Sequence, residues 1–137
     1  MGFYLKYLVL VLLGYHALGF ASSHHPQEFL QSIRGTKEEG KHIVQHYCIN
    51  CHAEKPLIPL GAPRIGVEAD WILRVKNGLS ELFERSAEGL NAMPARGGCF
   101  ECSDEQLRLA ILELLPDSLR KTSFSAPKVD KKDKMLK

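Results

Sequence analysis

The stretch Cys48-Ile49-Asn50-Cys51-His52 decides how this chain is read. Two cysteines three positions apart on a helical turn project their sulfurs from one face, where each can add to a vinyl group of a haem. The histidine that follows at once brings an imidazole under the porphyrin plane, so the helix that carries the covalent links also carries an axial iron ligand. Such a site needs an export signal before it, a sixth ligand after it, and helices to wrap the ring.

The sixth ligand points to Met93. Of the three methionines, Met1 starts the chain and Met135 lies in a polar, lysine-rich tail, which leaves Met93 for a folded site. Pro94 restricts the residue before it to extended backbone, so Met93 sits on a rigid strap rather than on a helix. A methionine taken at random is more often a gap-filler in a core; the proline and the position after Cys-x-x-Cys-His favour ligation. Arg96 lies on the same strap, near a propionate or on a docking surface, and Gly97-Gly98 then turns the chain into Cys99-Phe100-Glu101-Cys102.

The enclosing elements read as helices. Thr36 and Glu39 fit a capping box that starts the first of them, and Gly40, Ile43, Val44 and Tyr47 share one face of it. A glycine on that face allows a second helix to cross closely. His42 and His46 fall on another face and read as surface residues. Between Ala53 and Gly66 three prolines and two glycines make a loop, and the carbonyl of Pro63 is the expected acceptor for the second ring nitrogen of His52. Glu68 to Asn77 and Ser80 to Glu88 read as helices ended by Gly78 and Gly89. Ile72, Val75, Leu82 and Phe83 are expected in the core or against haem, and Trp71 either donates its indole hydrogen to a propionate or packs on the ring edge. A second capping box, Ser103 with Gln106, opens a last helix with Leu107, Ala110, Ile111 and Leu114 on one face and Pro116 as its stop. Ala110 suits a close crossing with the Gly40 face.

The ends of the chain differ from its middle. Residues 1–21 read as a secretory signal: Lys6 precedes the run Tyr7 to Leu13, and small residues follow up to cleavage after Ala21. Gly14 and His16 interrupt the run, which falls short of the roughly 18 clean apolar residues of a spanning helix; an uncleaved anchor is the alternative. Residues 22–35 read as a linker and 36–116 as the domain. Thr36 to Pro116 holds nine Lys and Arg against twelve Asp and Glu, whereas Asp117 to Lys137 holds seven against three. An acidic domain thus precedes a basic tail, 117–137, that reads as disordered, with docking to an acidic partner or an anionic membrane surface as the sharper reading. A formal net charge of +2 gives no reason to expect a nucleic-acid binder.

Cys48-x-x-Cys51-His52, the Gly61-Ala62-Pro63-Arg64-x-Gly66 loop and the run from Met93-Pro94 through Cys99-Phe100-Glu101-Cys102 to Leu107 together resemble the bacterial cytochromes c5, which are class I c-type cytochromes. The likeness covers about Thr36 to Pro116. It implies an all-α fold of about four helices around one covalently bound haem c, held by Cys48 and Cys51, with His52 and Met93 as axial ligands. It also implies a disulfide between Cys99 and Cys102, worth about 2 kcal/mol for so short a loop. With both axial positions filled, the iron has no open site and one-electron exchange is the chemistry left. The expected role is a periplasmic, non-enzymatic electron carrier of a respiratory chain, between a membrane quinol-oxidising complex or another donor and a terminal oxidase or another acceptor.

Three other readings use the same residues. A structural zinc site on the four cysteines leaves His52 and Met93 unexplained and needs an unusually long gap between pairs. A thiol–disulfide oxidoreductase wants a strand before its Cys-x-x-Cys, and none is credible before Cys48. A haem ligand sensor or peroxidase requires Met93 to be absent from the iron.

Overall fold

The computed structural model describes residues 25–123. The signal reading of residues 1–21 and the lysine cluster of the tail lie outside them. The described chain is helical: α1 (Pro26–Ile33), α2 (Glu39–Ile43), a π-helical turn (Val44–Cys48), α3 (Ile49–His52), α4 (Glu68–Trp71), a 3-10 turn (Val75–Asn77), α5 (Gly78–Glu88), α6 (Asp104–Leu114) and α7 (Asp117–Ser123). Among the described residues no strand forms, and Leu90 and Met93 make only an isolated bridge.

The centre of the fold is the crossing of α2 with α6. Gly40 sits at the contact, where a Cβ would lie 2.6 Å from the Leu109 carbonyl oxygen. Only a residue without a side chain lets two backbones come that close. Around the crossing Ile43, Val44, Leu107, Ala110, Ile111, Leu114 and Leu115 are buried, so the stripe expected for each helix is the stripe that packs. The Ser103–Gln106 capping box forms in both directions, with Gln106 N donating to Ser103 Oγ at 3.2 Å and Ser103 N to Gln106 Oε1 at 3.0 Å.

The Thr36–Glu39 capping box does not form. Thr36 Oγ1 donates instead to the Ile33 carbonyl, and α2 begins only at Glu39. Glu39 is buried and has a longer reach than a capping residue needs: one carboxylate oxygen accepts from Gly35 N at 2.7 Å and the other from Gln106 Nε2 at 2.9 Å. Gln106 Nε2 also reaches the Leu30 carbonyl at 3.1 Å. One buried polar network therefore ties α1, α2 and α6 together, with each member satisfied by another.

Two members of that network, Leu30 and Gly35, lie in a stretch read as linker. Residues 22–35 include α1, started by a proline in its first turn and burying Leu30 and Ile33 against the core. The segment looked too polar for a core element because it gives the core only Leu30, Ile33 and a half-buried Phe29. Likewise the first residues of the tail read as disordered form α7, where Ser118 Oγ donates to Glu68 Oε2 at 2.7 Å and Arg120 pairs with Glu113. The helix expected over Glu68 to Asn77 is broken after Trp71, and the next one starts at Gly78 rather than Ser80.

Candidate haem site

Cys48, Cys51 and His52 lie on one continuous helical path, but not on one regular helix. The path tightens and widens from α2 through the π-turn Val44–Cys48 to α3. Single π-turns inside α-helices are commonly found at functional positions, and here the turn ends on the first cysteine of the motif. Cys48 and Cys51 are both free thiols. Burial, and then the neighbouring Cys51, push the Cys48 thiol up to about 11, so it stays protonated at neutral pH.

His52 is buried, and its Nδ1 lies 2.7 Å from the Pro63 carbonyl oxygen. A carbonyl only accepts, so Nδ1 carries a proton and Nε2 is the ring nitrogen left for a metal. A second bond runs the other way, from Ile65 N to the His52 carbonyl at 2.7 Å. The loop after His52 thus grips both its ring and its backbone.

That loop is fastened from outside by α4. Asp70 accepts from Arg64 N at 3.0 Å, from Arg64 Nε at 2.8 Å and from Arg64 Nη2 at 3.0 Å. These bonds hold the Asp70 carboxyl down at about 2. Trp71 is buried with its ring stacked at 6.4 Å from that of His52, and its Nε1 donates to the Arg64 carbonyl at 2.8 Å. The indole hydrogen is therefore used inside the protein and is not available to a propionate, as one reading of the sequence had it. Local spacing carried no hint of the Arg64–Asp70 clamp; Arg64 was visible only as part of the loop motif.

Met93 is half-buried in a tight hairpin. Leu90 N donates to the Met93 carbonyl at 3.1 Å and Met93 N to the Leu90 carbonyl at 3.0 Å, with Asn91 between them at positive φ. The strap lies directly on the end of α5. At Gly89 a Cβ would meet the Met93 carbonyl oxygen at 2.8 Å and Ala95 N at 2.9 Å, so this glycine is required for contact as well as for ending the helix. Arg96, itself at positive φ, folds back so that Nη2 donates to the Cys102 carbonyl at 2.6 Å and pairs with Asp104 at 3.1 Å. Its role is to tie the strap to the start of α6. The Cys99 and Cys102 side chains meet, with Cα atoms 5.4 Å apart, and both are buried.

The donor set suits a covalently attached haem: two free thiols on one helical path and a histidine with its ring fixed through Nδ1. Leu57, Ile58, Leu60, Ile72, Leu73, Leu90 and Phe100 are exposed apolar side chains. Ile72 is 47% exposed and so lies outside the core. Leu82 is buried and Val75 and Phe83 pack half-buried against the core, as expected. His46 is exposed and stacks on Phe29 at 4.6 Å, which occupies it structurally.

Residues 35–111 match the family model described as cytochrome C oxidase, cbb3-type, subunit III. Similar proteins include cytochrome c5 of Azotobacter vinelandii, 42% identical over 79 residues that make up 56% of this chain and 92% of that one. Cytochrome c5 of Ectopseudomonas mendocina is 36% identical over 61% of this chain and 94% of its own length. Cytochrome c-555 of Prosthecochloris aestuarii is 30% identical over 58% and 86%. The matched family region begins just after α1. With the helical fold, the fixed histidine and the paired thiols beside it, these likenesses make the chain a member of the class I c-type cytochromes, in the cytochrome c5 group, a monohaem electron-transfer protein with haem c bound covalently and not an enzyme.

Proposed function

We propose that the protein is a periplasmic one-electron carrier of a respiratory chain, with Cys48 and Cys51 holding the haem and His52 and Met93 as its axial ligands. The observation that carries this reading is the 2.7 Å contact of His52 Nδ1 with the Pro63 carbonyl, which leaves Nε2 as the one ring nitrogen able to bind a metal. When bound, the haem supplies a reversible Fe(II)/Fe(III) couple.

The protein's own part is to keep both ligands in place in either oxidation state. His52 is held through ring and backbone, and the Met93 thioether is carried on a strap braced by Gly89 and Arg96. A soft thioether favours Fe(II) and raises the potential relative to a second imidazole. A disulfide between Cys99 and Cys102 closes the turn after the strap and belongs with a secreted protein. The signal reading of residues 1–21 supports export, and among the described residues no helix is long and apolar enough to cross a membrane. A quinol-oxidising membrane complex is the proposed donor and a terminal oxidase the proposed acceptor.

Met93→Ala tests the ligand assignment. Haem should stay attached through Cys48 and Cys51 while the sixth position opens, so the reduced variant should bind carbon monoxide readily and the unsubstituted protein poorly. Equal binding by the two proteins removes Met93 from the iron.

A further inference from the structure

The Pro63 carbonyl that accepts from His52 is half of a peptide group whose other half is the Arg64 N–H. That N–H donates to Asp70 Oδ2 at 3.0 Å, while the carbonyl lies 2.7 Å from His52 Nδ1. One planar unit is thus held by an imidazole at one end and by a carboxylate at the other. Asp70 is itself fixed by the fork of Arg64 Nε and Nη2, and its own carbonyl accepts from Arg74 Nη1. The next peptide group repeats the arrangement with neutral partners. Its Arg64 carbonyl accepts from Trp71 Nε1 at 2.8 Å, and its Ile65 N–H donates to the His52 backbone carbonyl at 2.7 Å.

We infer that Asp70 is a positioning residue that tunes the His52 imidazole through the Pro63–Arg64 peptide. A peptide N–H donating to an anion sends electron density toward its carbonyl oxygen, since hydrogen bonds in a chain polarise one another. The carbonyl then draws harder on Nδ1–H, and the ring becomes a better donor at Nε2. A better donor stabilises the oxidised iron, so the carboxylate lowers the reduction potential. Trp71 acts on the neighbouring peptide, which ends on the His52 backbone and not on its ring. That hydrogen bond therefore acts on the shape of the loop, while the Trp71 ring touches His52 only by stacking. The inference rests on His52 being an axial ligand, as proposed above.

The test is Asp70→Asn in the full-length haem-loaded protein, read by its reduction potential and by the proton NMR shift of His52 Hδ1 in the reduced, diamagnetic state. Asparagine keeps the shape and an acceptor oxygen for Arg64 N and Nε, and removes the charge together with the bond from Arg64 Nη2. At a fixed ambient potential the ratio of reduced to oxidised protein should rise about tenfold, about 59 mV for one electron, and Hδ1 should move upfield as its hydrogen bond weakens. Trp71→Phe, which removes the bond to the Arg64 carbonyl, should lower the denaturation midpoint.

Removing a nearby negative charge raises a potential through space as well, so Hδ1 decides between the two causes. A raised potential with Hδ1 unmoved overturns the proposal, as does no change in either readout. Failure of the underlying ligand assignment appears separately and before any substitution: the reduced unsubstituted protein would then lack His52 ring protons displaced far upfield by the porphyrin.

Discussion

An imidazole can serve an iron only if its ring neither turns nor takes up a proton on the wrong nitrogen, and His52 is protected against both by the Pro63 carbonyl at 2.7 Å. The expectation for that carbonyl came from its place in a proline loop after the motif, because proline stiffens the direction in which its own carbonyl points. Asp70 was not legible in the same way: it acts on the Pro63–Arg64 peptide from another helix, and only the folded chain brings the two together. Cys48 shows a further effect of surroundings, since its thiol titrates at about 11 owing to burial and to Cys51. A raised thiol value favours the protonated form, so the thiolate fraction climbs about tenfold per pH unit up to that value. In the haem-free chain, alkylation of Cys48 by iodoacetamide should therefore be slow at neutral pH and accelerate up to about pH 11. A rate that levels off near the ordinary thiol range would show Cys48 to be unburied.

Helices α2 and α6 were legible because each carries its own apolar stripe and α6 its own capping box, all of it local information. The close crossing was legible too, from Gly40 and Ala110. Gly40→Ala gains about 1 kcal/mol of helix propensity but places a methyl 2.6 Å from the Leu109 carbonyl oxygen. Backbone on the far side cannot swing away, and overpacking of about 1–3 kcal/mol outweighs the propensity gain. Urea denaturation of the variant should show a net loss of up to about 2 kcal/mol; a raised midpoint would mean that the helices do not cross at Gly40. Helix α1 was not legible, because its support comes from long-range polar partners: Gln106 Nε2 reaches Leu30 O, and Glu39 joins Gly35 to Gln106. The sequence pattern assigned both Glu39 and Gln106 to capping, and only Gln106 caps. Glu39→Ala strips a buried acceptor from two donors and should destabilise by about 1–3 kcal/mol. Hydrogen exchange should place that loss in α1 and at Gly35, whereas a loss confined to the start of α2 would restore the capping role.

Taken together, the chain folds as a helical frame in which one edge, α3 with the proline loop, fixes a histidine, and another, the strap after α5, carries a methionine. The order of these parts was readable from the motif onward, since a covalent haem site dictates what must come before and after it. What the pattern left out lies at the junctions: the break after Trp71, the start of α5 at Gly78, and α7 docked on Glu68 through Ser118. Junctions are set by which side chains meet in space, and spacing along the chain does not record that. The burial of Trp71 on Arg64 rather than on a propionate is of the same kind. The measurement to make first is the visible absorption spectrum of the exported protein, oxidised and then reduced. A sharp α band on reduction, with a weak long-wavelength sulfur-to-iron band in the oxidised form, is the result expected of a low-spin haem c between His52 and Met93. An oxidised spectrum without the sulfur band, or one of high-spin iron, would contradict that ligation and with it the account of a closed, purely electron-carrying site.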